Sequence, residues 1–261
     1  MKLSTDQLLE FHDQGYITLP GVIPPIMVRD ALQSINHDLG TVGMPTERLN
    51  EFRAQSYCRD IQSAPALAGL MSETPVRPLV ESLVGEGRVK PYGSAQIALR
   101  FPGPLAGNRR PPSGHLDGLG SGANGTAVGT YTRTFTALAV CLLCDLPEDY
   151  MGNFTVWPES HRTYEAYFRE VGHEVLAKGQ PRIDLPHGPK QITGKAGDVV
   201  IAHHLLEHTA APNLSPYIRY AAIFRINAID VGEVGTDAYT DIWREWHGVR
   251  DALASRKPAA T

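Results

Sequence analysis

The segment GDVVIAHHLLEHTAAPNLSPYIRY, residues 197–220, places the strongest constraints on the fold of this chain. It opens with the apolar run 199–202, which is typical of a buried β-strand. The turn-forming residues of APNLSP, 211–216, then separate this run from YIRYAAIFRI, 217–226, where apolar and polar residues alternate. The pattern therefore predicts a strand, a chain reversal and a second strand that returns beside the first.

This segment contains three of the ten histidines, His203, His204 and His208, within a stretch of only six residues. Histidine is intermediate in its preference for burial, so three of them beside an apolar run require an explanation. A metal site, a general base or a strand that happens to be rich in imidazole would each provide one. The segment alone leaves these alternatives open, and also leaves open which histidine would bind a metal.

Composition narrows the classes of protein. The 261 residues are 42% hydrophobic, which is ordinary for a globular protein with a sizeable core. A net charge of -4 and a pI near 6.2 argue against partners such as nucleic acid or an anionic membrane. Three cysteines are too few for a disulfide framework, and neither a signal peptide nor a membrane-spanning run is evident. We therefore expect a soluble, cytoplasmic protein, whose oligomeric state the sequence does not indicate.

The order of patterns predicts one domain, residues 1–261, that is mainly β with α. Residues 1–87 are helix-rich: a capping box at STDQ opens a helix over 5–14, a second is expected over 26–39, ended by Gly40, and further helices over 64–84 are broken at Pro75 and Pro78. Short β-like runs separated by turn residues follow over about 88–230, and a helix over about 236–254 closes the chain. Helices followed by many short strands favour a β-sandwich or barrel.

A second candidate site lies in PPSGHLDGLG, residues 111–120. His115 and Asp117 are two residues apart, so on a strand both side chains point to the same face. Taken alone, this spacing is more often an ordinary polar strand end. The later histidine cluster changes the balance, because two histidines and one carboxylate form the facial triad of non-haem Fe(II) oxygenases.

The returning strand adds a cation. Alternation places Arg219 and Arg225 on the same face of that strand. A buried arginine needs an anionic partner, since an unpaired internal charge is very costly. A dicarboxylate ligand would provide the partner, and a guanidinium group can bind a carboxylate through two parallel hydrogen bonds.

The ordered set of motifs resembles the phytanoyl-CoA dioxygenase family of Fe(II)/2-oxoglutarate-dependent oxygenases. The H-x-D motif is followed by GNFTVWPESH, 152–161, and by the segment 197–220, with an arginine eleven residues after the last histidine. The start LSTDQLLEFHDQGYITLPGVIP, 3–24, also looks like that family. Two departures are Glu159 and Thr209, each at a position where the family commonly has glycine. The resemblance covers about residues 3–230 and implies a double-stranded β-helix (jelly roll, cupin-like) with N-terminal helices packed on the barrel.

The resemblance also assigns the candidate residues. His115, Asp117 and His208 match the metal ligands, so His203 and His204, which precede the ligand position, are interpreted as residues of the strand or hydrogen-bond donors behind the site. Arg219 matches the arginine that binds the far carboxylate of 2-oxoglutarate. Arg225, two steps further along the same face, is interpreted as structural.

The resemblance implies an enzyme, a dioxygenase of the hydroxylase type. It would use Fe(II), 2-oxoglutarate and O2 to oxidise a C–H bond of a small-molecule metabolite, with release of succinate and CO2. Thr155 and Gln96 are candidate contacts for 2-oxoglutarate, and Arg133 and Trp157 are candidate contacts for the substrate. Arg133 would suit an anionic substrate. The glycine-rich loop 118–129 is expected to form a flap beside the metal. The alternative hypothesis is a jelly-roll protein that binds a metal or a ligand without oxygenase activity.

Overall fold

The apolar and alternating runs form two antiparallel sheets, and the computed structural model describes residues 1–103, 109, 112–133 and 135–256. The strands, in chain order, are β1 Tyr16–Leu19, β2 Gln96–Arg100, β3 Ala137–Leu142, β4 Phe154–Val156, β5 Lys190–Gln191, β6 Val199–His203, β7 His208–Ala210 and β8 Arg219–Ile226. The larger sheet has the order β1-β6-β3-β8-β2, and the smaller sheet has the order β5-β4-β7. The expectation that the strand after the turn returns beside the strand before it is wrong, because β3 lies between β6 and β8 and pairs with both. Every strand pair in both sheets is antiparallel.

Helices precede, interrupt and follow the strands. They are α1 Thr5–Gln14, α2 Pro25–Thr41, α3 Leu49–Ala54, α4 Pro65–Ser72, α5 Val76–Val84, α6 Ser160–Val171, α7 Val231–Val234 and α8 His247–Ser255. The predicted capping box is confirmed: the Ser4 hydroxyl accepts from the Gln7 amide, and the Gln7 side chain accepts from the Ser4 amide. None of the described helices combines the length and apolar character needed to cross a bilayer.

Three predicted helix boundaries are wrong. Helix α2 continues through Gly40 to Thr41, whose hydroxyl donates to the His37 carbonyl. Pro78 does not break α5, because it lies in the first turn, where backbone N–H groups have no helical partner to lose. The expected helix over 236–254 is a 3-10 turn, Gly235–Tyr239, followed only later by α8. Helix α6 directly follows a run that the sequence pattern assigned to a strand.

The outer face of the larger sheet packs against the helices. Ala139 and Phe224 of this face share one core with Phe11 of α1, Leu70 of α4 and Leu83 of α5, all of them fully buried. Alternation of small and large apolar residues along β3 and β8 therefore gives the sheet one face that is closed by helices. The predicted combination of a mainly β fold with packed N-terminal helices is confirmed.

The inner face of the larger sheet is turned toward the smaller sheet. Leu138 and Val140 of β3 and Ala221 of β8 share a second core with Phe154 and Val156 of β4. Within the described residues the two sheets are not hydrogen-bonded into a closed barrel. The space between them contains a cavity of about 380 Å³, whose walls include residues of both sheets.

Candidate metal centre and its cavity

Backbone pairing brings the two predicted ligand segments together. The His115 amide donates to the His208 carbonyl at 2.9 Å, and the His208 amide donates to the His115 carbonyl at 3.1 Å. Gly114 permits this approach, because a Cβ atom at that position would lie 2.3 Å from a carboxylate oxygen of Glu207. The two imidazole rings consequently lie side by side, with their centroids 4.8 Å apart.

The side chains of His115, Asp117 and His208 converge on one point. Asp117 Oδ1 lies 3.3 Å from His115 Nε2 and 3.8 Å from His208 Nε2, and the three ligand atoms lie within 4.8 Å of one another. The His208 Nδ1 atom donates to the Leu206 carbonyl at 2.9 Å, which leaves Nε2 as the lone-pair nitrogen. Across the described part of the chain, no other group of histidine, cysteine and acidic residues meets this geometry.

The protonation states suit a metal ion. Burial lowers the pKa of His208 to about 4, although the neighbouring Asp117 opposes the shift. Burial alone would raise the pKa of Asp117, but the charge of Arg225 and the hydrogen bond from His115 hold it well below its usual value. At neutral pH the site therefore offers a neutral His208 imidazole and an ionised carboxylate, the forms that bind Fe(II) or a similar divalent cation.

The other two histidines of the opening segment lie outside this group. His203 Nε2 donates to the Ile242 carbonyl at 3.0 Å, and His204 Nε2 donates to the Ala238 carbonyl at 3.3 Å. Burial lowers the pKa of both rings well below the usual value, so both are neutral. Each connects the end of β6 to the C-terminal segment.

Arg219 lines the same cavity as the triad. It is buried, and its guanidinium donates to the backbone carbonyls of Gly152 at 2.7 Å and Ala98 at 3.0 Å. Burial, together with the charge of Arg100, lowers the pKa of Arg219 to about 9, which keeps it charged at neutral pH. The structure thus places a buried cation in the cavity wall, where an anionic ligand could reach it.

Arg225, which the sequence pattern indicated as structural, contacts a member of the triad directly. Its Nη2 and Nε atoms lie 2.9 Å and 3.1 Å from Asp117 Oδ2, and its Nη1 atom donates to the Gln96 side chain. Alternation along β8 already placed Arg225 on the cavity face. Its partner Asp117, however, is 108 residues away in the sequence, so no local spacing could reveal the contact. Gln96 lines the cavity as expected and reaches the triad through Arg225.

Three other candidates do not line the cavity. The Thr155 hydroxyl donates to the Asn153 carbonyl at 3.1 Å, because the neighbouring Phe154 takes the cavity-facing position of β4. Arg133 is only 2% exposed at its side chain and forms a buried ion pair with Glu245, so its charge already has a partner. Trp157 is buried beside a separate depression on the other side of the ligand segments.

A hydrogen-bond network supports the ligand segments from behind, and sequence reasoning did not identify it. The Tyr164 hydroxyl and the Gln180 amide both donate to Glu207 Oε2. The Gln180 carbonyl oxygen in turn accepts from the Leu116 amide at 2.8 Å. Leu116 lies between the first two ligands and Glu207 directly precedes His208, so the network joins the two segments. The adjacency of Glu207 to His208 is the only sequence signal for it.

The glycine-rich loop over 118–129 forms one wall of the cavity. Gly118, Leu119 and Gly120 all line it. Gly118 has φ 90°, and a Cβ atom there would lie 1.9 Å from the Thr132 carbonyl oxygen. The loop therefore packs too closely against the chain that follows it to carry a side chain at this position. Its place beside the triad matches the expected flap, whose motion remains a prediction.

Comparison with known proteins gives matches among solved structures. No protein-family model matches the chain, and no curated protein matches it. The non-heme alpha ketoglutarate dependent carbocyclase SnoK from nogalamycin biosynthesis is 19% identical, with a TM-score of 0.58 over 89% of this chain and 90% of that one. HygX from Streptomyces hygroscopicus, solved with nickel and 2-oxoglutarate bound, is 17% identical, with a TM-score of 0.58 over 88% of each chain.

A third structure extends the comparison. EctD from S. alaskensis, solved with 2-oxoglutarate and 5-hydroxyectoine, is 18% identical, with a TM-score of 0.56 over 87% of this chain and 77% of that one. SnoK is thus a non-heme alpha ketoglutarate dependent enzyme, and HygX and EctD were both solved with 2-oxoglutarate bound. The present chain shares their fold over most of its length, which confirms the predicted resemblance at the level of the fold.

Proposed function

We propose that this protein is a non-haem Fe(II)/2-oxoglutarate-dependent dioxygenase that hydroxylates, or otherwise oxidises, a C–H bond of a small-molecule metabolite and releases succinate and CO2. The observation that carries the proposal is the triad of His115, Asp117 and His208, which opens into the same cavity as the buried Arg219. Two imidazoles and one carboxylate leave coordination positions for other ligands. The shared fold supports the same conclusion.

The proposal extends to architecture. We infer that the two sheets are the two halves of a double-stranded β-helix and that residues 1–261 form a single domain. The facing inner surfaces of the sheets, and the cavity between them, support this topology. The packing of α1, α4 and α5 on the outer face of the larger sheet supports a single folding unit.

The triad, Arg225 and Arg219 would then each have a separate role. His115 Nε2, Asp117 Oδ1 and His208 Nε2 would hold Fe(II), which supplies the oxidising chemistry with O2 when bound. Arg225 binds the other oxygen of Asp117, so it orients the carboxylate toward the two histidines. Arg219 would bind the far carboxylate of 2-oxoglutarate.

The remaining walls of the cavity are apolar or small. Leu138 and Val140 of β3 and Ile223 of β8 exclude water from the space beside the triad, which strengthens electrostatic contacts there. Ala98 and Ala221 lie between Arg219 and the triad side of the sheet and leave room for a ligand. A small organic acid and part of a metabolite would fit a cavity of about 380 Å³.

The test is production of succinate from 2-oxoglutarate by protein loaded with Fe(II). We expect succinate in air, none under anaerobic conditions, and none from the Asp117→Ala variant. A substrate library followed by mass spectrometry should then show a product that has gained one oxygen atom or lost two hydrogen atoms. Binding of 2-oxoglutarate without succinate formation from any library member would instead support the alternative, a binding protein without oxygenase activity.

A further inference from the structure

Three arginines gather at one end of the cavity. Arg100 of β2 is the direct partner of Arg219 of β8 across the sheet, and Arg53 of α3 lies beside them; all three line the cavity. Among the described residues, none of the three has a carboxylate within 4.0 Å. This end of the cavity therefore has a positive charge that the chain itself does not balance.

The charge exceeds what one carboxylate can neutralise. The proposed function gives Arg219 one partner, the far carboxylate of 2-oxoglutarate, and leaves Arg53 and Arg100 without one. Arg100 is half-buried, and within the described residues the only hydrogen bond that its guanidinium donates is a 3.4 Å contact to the Leu99 carbonyl. Burial, and with it the charge of Arg53, lowers the pKa of Arg100. Arg53 is exposed and Arg100 is half-buried, and two neighbouring guanidinium groups without a carboxylate partner are well suited to bind an anion.

A second depression is lined by Arg53 and Arg100 and not by Arg219. It is open, with a volume of about 430 Å³, and lies next to the cavity. Ser113, two residues before His115, and Thr209, directly after His208, form part of its wall. The depression thus adjoins the metal centre without reaching the residue assigned to 2-oxoglutarate.

We infer that Arg53 and Arg100 form a second anion site, which binds a carboxylate or phosphate group of the molecule that is oxidised. Tyr57 and Phe101 line the same depression and would contact an apolar part of that molecule. The inference rests on the proposed function and narrows its substrate to a small anionic metabolite. Arg133, the arginine that the sequence offered for this role, is already neutralised by Glu245.

The test measures the binding of two small anions and of 2-oxoglutarate in the same set of variants. Inorganic phosphate and acetate are titrated at low ionic strength into metal-free protein, and 2-oxoglutarate is titrated into the anaerobic Mn(II) form. The variants are Arg219→Leu, the double variant Arg53→Gln/Arg100→Gln, and the control Arg48→Gln. Arg48 lies in the same region of the chain, pairs with Glu51 at 3.1 Å and lines neither space.

We expect the double variant and Arg219→Leu to have opposite effects on the two kinds of ligand. The double variant should bind the small anions at least tenfold more weakly and bind 2-oxoglutarate within threefold of wild type, whereas Arg219→Leu should show the reverse and Arg48→Gln should change neither. Tighter binding of phosphate than of acetate would identify a phosphate group on the substrate, and the opposite order would identify a carboxylate. Equal thermal unfolding midpoints would show that each variant is folded.

Three outcomes would overturn the inference. They are failure of wild type to bind either small anion, retention of that binding in the double variant, and weakening of 2-oxoglutarate binding by more than tenfold in the double variant. The last would assign all three arginines to the cosubstrate. Failure of wild type to bind 2-oxoglutarate, with the small-anion results as expected, would instead remove the proposed function and leave the anion site in place.

Discussion

The two ring nitrogens of His208 have different partners, and this division distinguishes it from its neighbours. Its Nδ1 atom is occupied by the Leu206 carbonyl, so Nε2 is directed to Asp117. In His203 and His204 the Nε2 atom itself is occupied by a backbone carbonyl. The sequence shows three imidazoles close together, but the carbonyl partners of His203 and His204 lie 39 and 34 residues away, so no local pattern could reveal that these two rings are already occupied.

We therefore predict that His208→Ala abolishes metal binding and that His204→Ala retains it. Loss of one of three ligands removes a coordination bond, whereas His204 contributes only a hydrogen bond to the Ala238 carbonyl. Isothermal titration of Mn(II) into each folded variant measures the difference. Loss of Mn(II) binding in His204→Ala, with binding retained in His208→Ala, would show that the ligand is misassigned.

Arg225 provides a second prediction at the scale of single residues. Because it binds Asp117 Oδ2 through two nitrogens, Arg225→Leu should weaken Mn(II) binding by about tenfold to a hundredfold, as loss of a residue that orients a metal ligand commonly does. Arg225→Lys should lie between the leucine variant and wild type. Unchanged Mn(II) affinity together with a lower unfolding midpoint would return Arg225 to the purely structural role that its position in the sequence suggested.

At the scale of helices and strands, sequence signals between residues close together in the chain predicted boundaries correctly, whereas features that depend on distant residues were missed. The capping box gave the bounds of α1, since all its groups lie within four residues. Helix α6 was missed, although the buried Tyr164 and Phe168 lie four residues apart on one face of it. Glu159, where the resembling family commonly has glycine, holds the left-handed conformation with φ 65° that begins this helix. Its carboxylate lies 3.0 Å from His187 Nε2.

The pairing of the two ligand segments depends on the absence of a side chain at Gly114. Gly114→Ala should push the segments apart, because its Cβ atom would meet both Glu207 and Trp157 within 3 Å. We expect a loss of about 1–3 kcal/mol in the free energy of unfolding, typical of overpacking, and weaker Mn(II) binding. Chemical denaturation and metal titration measure the two effects.

The control for this prediction is Gly93→Ala. A Cβ atom at Gly93 would meet nothing within 4 Å, and its backbone is outside the left-handed region. This variant should match wild type in both measurements. Wild-type metal affinity in Gly114→Ala would show that the close approach of the two segments does not determine the geometry of the triad.

At the scale of the whole molecule, the sequence indicated the layers but not their contacts. Alternation in β8 predicted one face toward the core and one toward a site, and both faces are confirmed by the two hydrophobic clusters. The order of strands in the sheets could not be predicted, because neighbouring strands such as β2 and β8 are far apart in sequence. The pairing of Arg133 with Glu245, 112 residues away, was inaccessible for the same reason.

Buried neutral histidines make the folded molecule sensitive to acid. Burial lowers the pKa of His161 to about 3, and it lowers those of His203 and His204 well below 6.5. Between pH 6.5 and the lowered values the unfolded chain binds more protons than the folded chain. The free energy of unfolding of the metal-free protein should therefore fall as the pH falls, by about 1.4 kcal/mol per pH unit for each such histidine.

Urea denaturation at several pH values between 7 and 4 measures this slope. His161→Gln should reduce the slope by about 1.4 kcal/mol per pH unit, the contribution of one histidine. His37→Gln, at an exposed position of α2, should leave the slope unchanged. A slope that His161→Gln does not alter would show that His161 is protonated in the folded state, contrary to its buried position.

The most direct test of the cavity as a 2-oxoglutarate site is the affinity of the anaerobic Mn(II) protein for this acid in Arg219→Leu and Arg219→Lys. Loss of a buried charge pair costs about 2–5 kcal/mol, and about 1.4 kcal/mol corresponds to tenfold in affinity. We predict that Arg219→Leu binds 2-oxoglutarate more than tenfold more weakly than wild type and binds Mn(II) as tightly as wild type. The affinity of Arg219→Lys for 2-oxoglutarate should lie between those of wild type and Arg219→Leu, because an ammonium group cannot form the two parallel hydrogen bonds. Wild-type affinity for 2-oxoglutarate in a folded Arg219→Leu variant would contradict the assignment of the cavity, and with it the central reason for proposing an oxygenase.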